Sequence, residues 1–131
     1  MFSYKAVIGV GAVLAGCFVA HFNRQDQDAI ARRDFMRAKL MFTQNIVEGL
    51  ATENFDQVVA GAEEIKGVIG GAQWLVHDTP EYQRHSDELK QAVDQLIVAG
   101  KSKNLDAAAL RYFDMTLRCI DCHKYLRGLR L

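Results

Sequence analysis

The chain has 131 residues, half of them apolar, with 16 basic and 16 acidic side chains. That is enough for one domain around one core, and a net charge of zero offers no overall attraction to nucleic acid. A single proline leaves room for long uninterrupted helices, and three cysteines are too few for a disulfide scaffold.

Residues 1–23 are the first segment. "MFSYKAVIGVGAVLAGCFVAHF" has one positive charge, Lys5, followed by an apolar run from Ala6 to Ala20, which is the layout of an export signal. "LAGC" at Leu14 to Cys17 resembles the bacterial lipobox, and the resemblance implies cleavage before Cys17 and lipidation of its sulfur. Ala6 to Phe22 also lies at the short end of what spans a bilayer, about 17–25 residues. An uncleaved anchor helix and an ordinary cleaved signal therefore stand beside the lipoprotein reading. All three send residues 24–131 across the bacterial inner membrane, to its periplasmic side, and the lipid or the anchor helix would tether them there.

"HFNRQDQD" reads as a polar break. From Asp26 to Leu50 apolar residues recur at threes and fours, and Met36, Leu40, Thr43, Val47 and Leu50 share one helical face. "NFDQ", at Asn54 to Gln57, reads as a capping box that opens a second helix, with a stripe of Phe55, Val58, Ala62, Ile65, Ile69, Ala72 and Val76. "DTPEY" supplies Thr79 as a cap and Pro80 at the first helical position. The third helix carries Leu89, Val93, Leu96 and Ile97 and stops at Gly100. After "KSKN", with Asn104 as cap, a fourth helix carries Leu105, Ala109, Tyr112, Thr116, Cys119, His123 and Leu126. No segment alternates with period two, so no strands are expected. Four amphipathic helices on short loops predict an all-α domain over 24–131, an antiparallel four-helix bundle.

The chemistry is concentrated in "RCIDCHKYLRG", residues 118–128. At helical spacing Cys119, Cys122 and His123 lie at i, i+3 and i+4, on one side of the fourth helix. CxxCH is the attachment motif of a c-type haem: two thiols add to the two vinyl groups of a flat ring, and the adjacent imidazole reaches the iron. A structural zinc site needs four ligands, and there is no second CxxC or HxxxH to complete one. A thioredoxin-like pair would follow a strand in a βαβ unit, and none is visible. The expected cofactor is one covalent haem c.

A four-helix domain with "CIDCHKYLR" in its last helix resembles the class II c-type cytochromes, which include cytochromes c′ and their low-spin relatives. The resemblance covers about residues 30–131 and is one of pattern outside the motif. It implies two thioether positions at Cys119 and Cys122, a proximal iron ligand at His123, and a basic neighbour of the imidazole edge at Arg127. Arg127 also reads as a solvated charge complementing the end of its helix. In this family the first helix supplies the residue on the other face of the iron: a methionine in low-spin members, a non-ligating apolar residue in cytochromes c′. "RRDFMRAKLM" offers Met36, at a spacing that departs from the cytochrome c′ pattern by about one turn. His77 and His85, flanking Pro80, read as surface residues, and Trp74 and Tyr112 as pocket or core aromatics.

The expectation is therefore a non-enzymatic carrier of single electrons with His123/Met36 ligation. The alternative is a five-coordinate, cytochrome c′-like protein that binds nitric oxide or another small gas, and a third class is a fixed relay in a larger complex. Residues 24–40 hold five basic and three acidic side chains, residues 111–131 five and two, and residues 41–104 five and ten. This asymmetry predicts redox partner proteins with an acidic docking patch. A homodimer is an open expectation from the family, without a decisive apolar patch in the sequence.

Overall fold

The computed structural model describes residues 8–71 and 79–129. They form four helices, α1 (Ile8–Ala51), α2 (Phe55–Ile69), α3 (Pro80–Lys101) and α4 (Leu105–Gly128), with no strand among the described residues. The chain divides into two compact units, Met1–Met36 and Arg37–Leu131, and all of the packing below lies within the second. No helix among the described residues is long and apolar enough to cross a membrane. Residues 1–7 and the side chain of Cys17 lie outside the described residues, as do Trp74 and His77.

The helix starts follow from local chemistry. Thr79 caps α3, its hydroxyl accepting from the Tyr82 amide, with Pro80 at the first helical position. Asn54 and Asn104 cap α2 and α4 by accepting from the amides of Gln57 and Ala107, at 3.2 and 3.0 Å, which satisfies amides that have no partner inside the helix. These two loops are built alike. Glu53 and Lys103, just before the asparagines, take positive φ of 54° and 53°. The asparagine amides then donate back to the carbonyls of Gly49 and Ala99, closing each preceding helix in a Schellman-type turn.

The expected break at "HFNRQDQD" does not occur, and α1 is continuous across it. A polar stretch without proline or glycine leaves the i to i−4 ladder intact and changes only which faces are wetted. Toward its other limit, α2 ends at Ile69 with Gly70 as its cap. Ala72 and Val76, expected on its stripe, lie outside the described residues.

The core is α3 packed on α2 and on α4, with Tyr82, Leu89, Val93, Leu96 and Ile97 buried on α3 and Val58, Ala62, Ile65 and Ile69 on α2. The expected α1 stripe is displaced by one residue: Leu40 and Val47 are exposed, while Ile46 and Gly49 are buried. Close approach of α2 selects that face. A Cβ built on Gly61 would stand 2.8 Å from Ile46 Cγ1 and 3.1 Å from the Phe42 carbonyl oxygen. Gly61→Ala is accordingly expected to lower stability by about 1–3 kcal/mol, as overpacking does, with helix content intact, read by thermal unfolding. An unchanged melting temperature would show that α1 can move away from α2 without loss.

The fourth helix is turned in the same way. Its buried line is Ala108, Met115 and Cys122, not the expected Leu105, Ala109, Tyr112, Thr116, Cys119, His123 and Leu126, of which Ala109 and His123 are exposed and the others half-buried. The two lines differ by less than a quarter turn, and packing on α3 decides between them. Arg118 ties α4 to α3 through Glu88 at 3.5 Å and is itself held by Asp114 at 3.3 Å.

Candidate functional site

On α4 the motif straddles the edge of the core. Cys122 points inward and is 6% exposed, Cys119 is half-buried, and His123 is exposed on the adjoining flank. Tyr112, Thr116 and Leu126 continue that flank, all half-buried. Both cysteines are free thiols. Burial pushes both thiols upward from the ordinary cysteine pKa, opposed by the positive charge of Lys39, so both are held as neutral S–H groups near pH 7.

His123 is moved the other way. Partial desolvation of its ring lowers its pKa, and the charges of Lys39 and Arg127 lower it further. The imidazole is therefore kept neutral around pH 7, with a nitrogen lone pair available to a metal. Arg127, one turn beyond, is exposed and acts on His123 through its charge.

Lys39, from α1, was not singled out by the sequence. It is half-buried, its ammonium lies within electrostatic reach of Cys119, Cys122 and His123, and burial brings its pKa down to about 8. The signal was present in the spacing: Lys39, Phe42, Ile46 and Gly49 recur at three and four, but a lysine in an apolar stripe reads as solvated. Met36 is half-buried, three residues before Lys39 on the same helix, and belongs to the Met1–Met36 unit.

A second correction concerns His85, expected at the surface. It is 8% exposed, with its ring 5.3 Å from that of Tyr125 between centroids and Nε2 3.8 Å from Glu81 Oε1. Tyr125, two residues past His123, shares a 2.9 Å hydrogen bond with the Thr79 hydroxyl. The cap of α3 and the motif-bearing end of α4 are thus fastened together by polar contacts. Tyr82, His85, Leu89, Val93 and Leu96 follow the helical period, so His85 could have been read as an inward position.

Among the described residues, no group of three or more His, Cys, Asp and Glu side chains converges on a point that could hold a metal ion. What the motif offers instead is two neutral thiols one turn apart, beside a neutral imidazole on an exposed flank. Compared with family models, with curated proteins and with solved structures, the chain matches none of them.

Proposed function

We propose that the chain is an exported monohaem c-type cytochrome that carries single electrons, with haem c attached at Cys119 and Cys122. The observation that carries this reading is the donor set on α4: two free thiols and an imidazole at i, i+3 and i+4, with His123 kept neutral so that its lone pair is available to iron. When bound, the haem supplies a one-electron iron couple. Cys119 and Cys122 would hold the haem through two thioether bonds, each S–H adding across one vinyl C=C bond. His123 would provide a lone pair to the iron, and the positive charge of Arg127 would lower the basicity of that imidazole. Met36 is the distal ligand in this reading. Connections of three residues, 52–54 and 102–104, support antiparallel neighbours in the bundle.

The leader reading is proposed with it: residues 1–23 deliver the domain to the periplasmic side of the inner membrane, and Cys17 carries the lipid. The partner reading follows from charge. α4 after Leu110 is basic, and α2 and α3 are mostly acidic, so a partner with an acidic patch is steered toward the motif end. Electron-transfer rates of the purified protein are expected to fall as salt rises, because fields of this kind are screened over about 10 Å at 0.1 M. Rates that rise with salt would remove the acidic partner. The test of the reading as a whole is one preparation of the exported protein, denatured and acid-extracted. It should retain its haem absorbance, and free release of the chromophore would refute covalent attachment.

A further inference from the structure

α4 has a face that neither the core nor the motif uses. Leu110 (65% exposed), Phe113 (61%), Leu117 (42%) and Ile120 (43%) lie on it, opposite the buried line of Ala108, Met115 and Cys122. Arg118 and Tyr125 occupy the side toward α3, and Cys119 and His123 the other flank. Spacings of three, four and three make the stripe a heptad-type seam. One further step of four in each direction reaches Asp106 and Lys124, both exposed. Among the described residues, the ion-pair partner of Lys124 there is its own-helix neighbour Asp121, at 3.3 Å.

We infer that this face pairs with the same face of a second copy of the chain, the two α4 helices running antiparallel about a two-fold axis at Met115. The stripe is symmetric about that residue. Antiparallel pairing sets Leu110 against the partner's Ile120 and Phe113 against the partner's Leu117. It also sets Asp106 against the partner's Lys124, twice over by symmetry. Parallel pairing would set Asp106 on Asp106 and Lys124 on Lys124, so the end charges select both the occupant and its direction. A two-fold contact of this kind is closed, so the α4 stripe itself is not left open to further copies. The inference does not rest on the haem reading, since none of the six residues is Cys119, Cys122 or His123, although Ile120 lies between the two cysteines.

The experiment is the mass of the full chain, purified in detergent, by sedimentation equilibrium with the detergent density-matched, and with helix content followed by circular dichroism. The wild type is expected to be a dimer. Leu117→Glu buries a charge in the seam and should weaken association by about a hundredfold. Asp106→Lys and Lys124→Asp should each weaken it roughly tenfold, since the pairs are exposed but doubled. The combined D106K/K124D chain should return to the wild-type constant, a rescue that chance sharing of a micelle cannot produce. A monomeric wild type, as when the chain's own N-terminal unit or another protein covers the stripe, overturns the inference. So does a double reversal that fails to restore pairing.

Discussion

Replacing Cys119 and Cys122 together by serine is expected to abolish covalent haem on the exported chain, the largest effect of any change in the domain. In the proposed reading each thiol supplies one of the two bonds, and residues 24–131 hold no other cysteine to substitute. The single variants separate the positions. Cys119→Ser and Cys122→Ser should each retain one thioether and show a red-shifted reduced band, because one vinyl group stays conjugated with the ring. Stability distinguishes them further. Cys122 is 6% exposed, and a serine hydroxyl buried there costs about 1–3 kcal/mol if it finds no partner. Cys119 is half-buried and should tolerate the change with little loss. Helix content by circular dichroism guards against mistaking an unfolded chain for one unable to hold haem. A double variant that still carries haem through denaturation would refute the assignment, as would wild-type exported protein whose two thiols alkylate freely.

How much of this was legible in the sequence depended on the kind of signal. Cap residues read correctly because their chemistry is local: Asn54, Thr79 and Asn104 each accept from an amide three residues on. The faces of α2 as far as Ile69 and of α3 read correctly because both helices are buried along a wide stripe. On α1 and α4 the stripes were displaced, and for the same reason. These helices carry apolar residues on more than one side, and periodicity alone cannot say which side meets a neighbour. Leu40 and Val47 are as greasy as Ile46, and only the approach of Gly61 from α2 selects Ile46. Likewise Leu110, Phe113, Leu117 and Ile120 escaped notice as a surface because the competing stripe through Cys119 and His123 absorbed the reading of α4. Lys39 and His85 were missed through their residue types, since each is polar and each sits at an inward register. The motif was legible outright, because its spacing alone brings the three donors to one side of any helix.

Met36→Ala is expected to change the iron from low-spin to high-spin and to lower the reduction potential. Met36 does not share a buried stripe with Leu40 and Val47, because those two side chains are exposed. Lys39 is the α1 side chain within electrostatic reach of Cys119, Cys122 and His123, and Met36 precedes it by three residues, the spacing of neighbours along one helical face. Met36 is also half-buried, whereas Met41 is 61% exposed, so Met41→Ala serves as the control that should leave the spectrum unchanged. The size of the effect follows from ligand chemistry: a thioether raises the potential of haem iron, and axial ligands together span about 0.8 V. Loss of Met36 should therefore lower the potential by about 0.1 V or more, with the covalent haem retained. Lys39 is the rival ligand on this helix, because burial holds its amine near a pKa of about 8 and a neutral amine can bind iron. Lys39→Leu, which leaves no donor atom at that position, separates the two. If Met36 is the ligand, that variant keeps a low-spin spectrum at pH 7 and Met36→Ala does not. If the spectra are reversed, Lys39 takes the distal position. A wild-type protein already high-spin would leave that position open and favour the gas-binding alternative over the electron carrier.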